Sequence, residues 1–474
     1  MPLRVPVRRS PALDLQALRG AADQAFSRTA GAPLVGGNAV RILRDATENY
    51  PAWEAAIASA ERSIHIEMYI FHRDAVGRRF VDLLAARARA GVDVRVIYDW
   101  FGAGVGAALG LFTPLVKAGG QVRPFNPPTI GNALGWLRRN HRKLITVDGR
   151  IAFVSGLCIG QAWVGDPKKG REPWRDTGLE IIGPAVAHAE ASFAESWLLA
   201  GGSELDVPDP ADIPPAGTVN LRLIPTEPFT ANLLRLDLLV GTVARRSLWI
   251  TDAYFMGTGP YMEALMRAAA DGVDVRLLLP RESDVGWTVP IARSLYRPLL
   301  EAGVRIFEWN GTMVHAKTAV ADSRWARIGS TNLNLNSWIG NWELDVAIED
   351  VGVARTLEEH FLKDLERSTE VVLTSPRRPR RLHLRQYGRY GSRRRVARTM
   401  SGVGRTLGAA VTGNRPLESV EISPVLLLAA LLTIVAVVGI VMPQVLAWPV
   451  AIIAGWLAVT LVVDAWQLWR RSRK

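Results

Sequence analysis

Short apolar blocks separated by polar turns run along most of this chain, and their period changes in an order that occurs twice. Ser63-Ile64-His65-Ile66-Glu67-Met68-Tyr69-Ile70-Phe71 and Ser247-Leu248-Trp249-Ile250-Thr251-Asp252-Ala253-Tyr254-Phe255 are β-branched and aromatic runs of strand length. Each is followed by a segment of period 3.6, carrying Phe80, Val81, Leu83 and Leu84 in the first half and Tyr261, Met262, Ala264 and Leu265 in the second, which predicts a helix. A further strand follows in each: Gly91-Val92-Asp93-Val94-Arg95-Val96 matches Gly272-Val273-Asp274-Val275-Arg276-Leu277. Both halves read strand, helix, strand, as a duplicated unit should. Alternating strands and helices predict α/β halves with a largely parallel sheet. The halves are placed at 33–200 and 218–375, after an N-terminal segment 1–32, with the Gly-, Pro- and Asp-rich stretch 201–217 as linker.

The duplicated pattern ends each time on the same chemistry. His141-Arg142-Lys143 has Asp148 seven positions after the histidine, and His315-Ala316-Lys317 has Asp322 at the same distance. The chain has only seven lysines and seven histidines, so one such spacing would arise by chance in roughly one sequence in 200, and two far more rarely. Ile145-Thr146-Val147 and Ile151-Ala152-Phe153-Val154 flank Asp148-Gly149, which predicts a hairpin on a tight two-residue turn. Residues i and i+2 of a strand share a face, so His141 projects with Lys143, and His315 with Lys317. Asp148 and Asp322 have the opposite parity and sit in the turn, where stabilising the turn competes with any contact to substrate. The two-residue turn pairs His141 with Gly156 and His315 with Ser330, small residues that leave room for a substrate. Seventeen positions after the second histidine stands Asn332, a donor for a phosphate oxygen; seventeen after the first stands Cys158, a weak donor. The spacing fits no His/Cys metal-ligand pattern.

With these motifs in view, residues 33–373 resemble the phospholipase D superfamily, and within it the bacterial cardiolipin synthases. Gly37-Asn38, Ile66 to Phe71, Trp174-Arg175-Asp176-Thr177, Gly329-Ser330-Thr331-Asn332 and Asn341-Trp342-Glu343 carry the resemblance. It implies two repeats about a pseudo-twofold axis with both His-Lys pairs converging on one phosphodiester, and no metal or other cofactor. One imidazole would attack phosphorus and form a phosphohistidine while the other protonates the leaving oxygen and later deprotonates the acceptor. The resemblance favours His141 as nucleophile and His315 as acid, with Lys143 and Lys317 holding the nonbridging oxygens. It also implies an acidic residue in each half, Asp176 and Glu343, that orients its histidine. Two departures stand out: Cys158, where relatives have Asn, and a longer stretch from Gly160 to Pro173, read as a gating or surface loop. The remaining histidines, His65, His72, His188, His360 and His383, are expected to be structural or exposed, and Glu67, on a predicted strand near the site, reads equally as a support for the site or as a satisfied polar core residue.

Charge then separates the substrates. The net charge is +12, but beyond residue 376 there are 16 basic and three acidic residues, which leaves 41 basic against 42 acidic in residues 1–376. A nearly neutral catalytic part lacks the basic track of a nuclease, so no nucleic acid is expected. The excess lies in the arginine-rich segment 376–423, ahead of two uncharged apolar spans, Pro424 to Met442 and Val445 to Val463, each long enough to cross a bilayer. These predict a C-terminal two-helix transmembrane hairpin at 424–463 with a basic tail, 464–474, and contact with anionic lipid. Basic flanks on both outer ends place the catalytic body and C-terminus on the cytoplasmic side of an inner membrane. The first residues carry arginines without an apolar run, unlike a secretory signal, and one cysteine fits a reducing compartment. The sequence thus predicts a phosphatidyltransferase making cardiolipin from phosphatidylglycerol or another donor. A phospholipase D releasing phosphatidic acid is the alternative, ahead of a tethered phosphodiesterase or nuclease and a lipid-binding scaffold without activity.

Overall fold

A computed structural model of the chain describes residues 15–127 and 138–373, together with Thr433, Gly455 and Trp456. The arginine-rich segment and the two apolar spans otherwise lie outside the described residues. Among the described residues no helix is long and apolar enough to cross a membrane.

Among the described residues fifteen strands form one sheet. The first half supplies β1 (Val35–Arg44), β2 (Ser63–Met68), β3 (Asp93–Asp99), β4 (Gln121–Phe125), β5 (Lys143–Val147), β6 (Ile151–Ser155) and β7 (Thr177–Ile182). The second supplies β8 (Val219–Thr226), β9 (Ser247–Thr251), β10 (Asp274–Pro280), β11 (Arg305–Trp309), β12 (Thr318–Ala321), β13 (Trp325–Gly329), β14 (Glu343–Glu349) and β15 (Ser368–Val371). Their order is β15-β11-β10-β9-β12-β13-β14-β8-β1-β7-β6-β5-β2-β3-β4, so outward from the β8–β1 junction the two halves repeat one arrangement until β15 extends the second.

The expectation of a largely parallel sheet is corrected. Only β2-β3-β4 and β9-β10-β11 run parallel, and every other neighbouring pair is antiparallel. Parallel neighbours need a crossover long enough for a helix, and the parallel strands of each half are joined by such helical crossovers. The motif hairpins reverse direction at once. Helix Ala75–Arg89 makes the first crossover, capped by Asp74, whose carboxylate accepts from Gly77 N–H, and it buries Phe80, Val81 and Leu84. Helix Gly259–Ala270, without a side-chain cap, makes the matching crossover and buries Tyr261, Met262 and Leu265. Each large apolar side chain buried there contributes roughly 1.5–3 kcal/mol.

Strands β1 and β8 join the two halves of the sheet, with a bulge where Val35 pairs with Leu221 and Asn38 with Val219 and with Gly37 at φ +84°. The halves then share a core in which Val154, Leu179 and Ile181 meet Ala326, Ile328, Leu344 and Val346. Helix Leu15–Ala30 lies on the second half, where Arg222 donates to Asp23 O and to Ser27 Oγ. These contacts place the amphipathic N-terminal helix against the body.

Candidate active site

The strand ends nearest the two motifs come together across the halves. Trp342 N–H donates to Arg139 O and His141 N–H to Trp342 O, while Arg175 N–H donates to Met313 O and His315 N–H to Arg175 O. Each motif is thus stitched, one residue at a time, to the segment carrying the other half's acidic residue. His141 Nδ1 lies 2.8 Å from Glu343 Oε2, and His315 Nδ1 lies 2.7 Å from Asp176 Oδ2. The expectation that each half orients its own histidine is corrected: the carboxylates are exchanged between the halves. All four side chains are buried. With Nδ1–H donated to a carboxylate, Nε2 is the nitrogen left for chemistry in both rings.

The two carboxylates are held differently. Glu343 accepts from Ser330 Oγ at 2.6 Å and Asn341 Nδ2 at 3.1 Å. Asp176 accepts from Trp163 Nε1 at 2.9 Å and Thr177 N–H at 2.8 Å. The shorter Asp side chain comes so close to β6 that a Cβ on Gly156 would stand 2.1 Å from its Oδ1. Glycine at 156 and serine at 330 therefore follow from which acid each faces. Both carboxyls are held below their ordinary range despite burial, chiefly by the facing imidazole.

Lys143 and Lys317 are buried beside their histidines; Lys143 Nζ donates to His141 O at 2.5 Å, and Lys317 Nζ donates to His315 O. Lys143 Nζ stands 5.0 Å from the centre of the Tyr69 ring and Lys317 Nζ 5.7 Å from that of Tyr254. Burial lowers both ammonium pKa values, that of Lys317 to about 8. Burial also lowers His141 to about 4, against the pull of Glu343 and with Lys143 and Lys317 reinforcing it; His315 is lowered by burial, Lys317 and Lys143 against the pull of Asp176. An anionic phosphodiester between the lysines would reverse part of that repulsion and allow one imidazole to hold a proton.

Asn332 is buried in the second half with its Oδ1 unpartnered, and Cys158 is buried at the equivalent place in the first, its thiol pushed up by burial and held down by Lys143. Asp148 and Asp322 are not brought to this cluster. The Asp148 carboxylate accepts the backbone N–H groups of Glu61, Arg62 and Ser63, and Asp322 accepts those of Arg245, Arg246 and Ser247. They staple the turns that enter β2 and β9. Both have positive φ, 55° and 54°. Each turn holds three residues between the paired ends, Val147↔Ile151 and Ala321↔Trp325, which corrects the two-residue expectation and moves the registers by one. Gly156 and Ser330 still flank the site, facing the carboxylates.

Sequence reasoning missed Tyr69 and Tyr254, whose rings lie 4.7 Å from His141 and 5.9 Å from His315. They stand one position apart when the two strand runs are aligned, Tyr69 opposite Ala253 and Tyr254 opposite Ile70, so the repeat itself gave no matched signal for them. Trp163 and Trp174 stand 5.6 and 5.4 Å from His315. The stretch from Gly160 to Pro173, expected to be a gating or surface loop, thus delivers a buried tryptophan to Asp176, while Asp166 and Arg171 close its outer turn. Glu67 accepts from Asn140 Nδ2 at 2.5 Å and Asp99 from Asn140 N–H at 2.9 Å, fixing the approach to His141. Among the other histidines, His65 pairs with Glu190 at 2.7 Å and stacks on Phe193, His72 is half-exposed, and His383 lies outside the described residues.

Residues 54–162 and 242–365 match the family model described as cardiolipin synthase, PLD-like domain. The chain is 32% identical over 358 residues to the cardiolipin synthase of Halalkalibacterium halodurans, covering 73% of this chain and 69% of that protein. It is 33% identical over 393 residues to cardiolipin synthase A of Pseudomonas syringae pv. syringae, covering 81% and 78%. The crystal structure of phosphatidylserine synthase from Haemophilus influenzae superposes with a TM-score of 0.59 at 14% identity, over 73% of this chain and 91% of that one, a likeness of fold alone.

Proposed function

The chain belongs to the cardiolipin synthase family of phospholipase D-like enzymes, and from that membership we propose that it transfers a phosphatidyl group from phosphatidylglycerol to the hydroxyl of a second phospholipid, making cardiolipin and releasing glycerol. The observation that carries this reading is the pair of buried His-Lys units, one from each half, each imidazole backed by the other half's carboxylate. His141, held neutral, attacks phosphorus through Nε2; the bond from phosphorus to the glycerol oxygen breaks, and His315 supplies the proton that the leaving oxygen takes. The second lipid's hydroxyl then gives its proton to His315 and displaces His141 from phosphorus. Lys143 and Lys317 counter the charge on the nonbridging oxygens, and Asn332 donates to one of them. Glu343 and Asp176 hold the two rings in the tautomer that exposes Nε2. Asp148 and Asp322 act by holding the motif turns.

In this reading 33–200 and 218–375 are the two repeats, joined by 201–217. The apolar spans at 424–463 form a hairpin in the inner membrane, with the body and the C-terminus on the cytoplasmic side. Mass spectrometry of the products formed from phosphatidylglycerol in mixed micelles tests the reaction. Cardiolipin with glycerol supports transfer; phosphatidic acid as the main product would replace it with hydrolysis.

A further inference from the structure

Four aromatic side chains are exposed among the described residues: Trp100 at 37%, Phe101 at 54%, Phe229 at 72% and Trp287 at 56%. All four leave the sheet at the end where the histidines sit. Trp100 and Phe101 directly follow β3, whose last residue, Asp99, binds Asn140; the Arg139 guanidinium lies 4.4 Å over the Phe101 ring. Phe229 follows β8, which ends with Thr226 paired to Glu343, and the exposed Arg138 lies 4.9 Å over its ring. Trp287 follows β10, three residues after Asp284, which accepts from the hydroxyl of Tyr254 beside Lys317. The opposite strand ends expose aliphatic residues such as Ile182 and Val351 but no aromatic one.

Rings left in water at one end of the sheet are costly unless that end meets an apolar phase, and Trp in particular settles where one side is wet and the other apolar. We propose that Trp100, Phe101, Phe229 and Trp287 form a membrane-inserting rim that sets the catalytic mouth into the headgroup and acyl boundary of a bilayer, so that a phospholipid reaches the histidines without leaving the membrane. This rests on the lipid-transferring reading above. The chain's own layout favours a bilayer as the occupant. The described body ends at Leu373, just after β15, whose final residue, Val371, pairs with Ile306 at the strand ends away from the site. Residues 374–423 separate it from the first apolar span. Fifty residues could cover on the order of 150 Å, so the sequence distance alone does not fix which face of the body meets the bilayer. The rim supplies the aim. Its insertion is driven by apolar area, since the body is close to neutral.

The test uses the full-length chain in nanodiscs of phosphatidylglycerol and phosphatidylethanolamine. An environment-sensitive fluorophore is placed on Phe229→Cys or Trp287→Cys, with Val351→Cys as control and the buried Cys158 left in place. The rim labels are expected to shift to the blue and to be quenched by acyl-chain nitroxides several-fold more than the control. Equal quenching, or rim labels that stay in water, would overturn the inference, and a rim that docks on a protein would give that second result. Quenched rim labels in a protein that turns over no phospholipid would leave the rim standing and sink the reaction assigned above. Kinetically, replacing the four rings with serine is expected to lower the ratio of turnover on vesicles to turnover on a monomeric short-chain phosphatidylglycerol by about tenfold; an unchanged ratio counts against the rim.

Discussion

Exchange of the carboxylates between the halves makes Asp176→Asn and Glu343→Gln separable probes of two chemical steps. Each substitution removes one buried charge and keeps the side chain's shape. Glu343→Gln weakens a 2.8 Å contact to His141, and Asp176→Asn a 2.7 Å contact to His315. A hydrogen bond to a charged group that no solvent reaches is worth about 1.5–3 kcal/mol, so each variant should lose about 10- to 150-fold in kcat on phosphatidylglycerol. The discriminating assay compares that lipid with phosphatidyl-p-nitrophenol, whose leaving group departs without a proton. If His315 is the acid, the Asp176→Asn defect largely disappears on the activated substrate during formation of the intermediate, measured as the release of p-nitrophenol. The Glu343→Gln defect persists, because nucleophilic attack by His141 is still required. Rescue of Glu343→Gln instead would exchange the roles of the two histidines. Equal persistence of both defects would refute the division of labour.

Two further outcomes follow from groups around the site. Asp148→Ala and Asp322→Ala each leave three backbone N–H groups without their carboxylate, so each should lower stability by about 1–3 kcal/mol, read as a fall in Tm, while kcat of the folded fraction changes little; a large kcat loss at unchanged Tm would put these residues into catalysis. His141 titrates near 4 in the folded protein, whereas an unperturbed imidazole titrates at 6.5. Between those values the unfolded chain binds a proton that the folded one refuses, so stability falls as pH drops from 6.5 towards 4, by up to ~3 kcal/mol in all. Denaturant midpoints of wild type and His141→Gln across that window should differ in slope, with the variant flatter; parallel curves would contradict the burial argument.

The duplicated strand-helix-strand pattern and the His-Lys spacing were legible because they rest on local periodicity. The pairing of His141 with Glu343 was not, since nothing in the sequence says which half's acid faces which histidine; that depends on how the two halves pack through their shared core. Strands β4 and β11 escaped the reading because Arg123 and Pro124 in β4 and Arg305 and Glu308 in β11 interrupt the apolar pattern. The motif turns read one residue short because Asp-Gly suggests a two-residue hairpin, whereas Asp148 takes a left-handed conformation that lets its carboxylate gather three amides. Tyr69 and Tyr254 stand one position apart when the two strand runs are aligned, so their shared place beside the lysines needed the three-dimensional arrangement.

Turnover of phosphatidylglycerol by His141→Ala and His315→Ala, each confirmed folded, tests the shared site most directly. The account predicts that each falls at least a thousandfold below wild type, or roughly the size of a nucleophile or general-acid loss. Either variant retaining more than about a tenth of wild-type turnover would mean that one half works alone, and the shared site would be wrong.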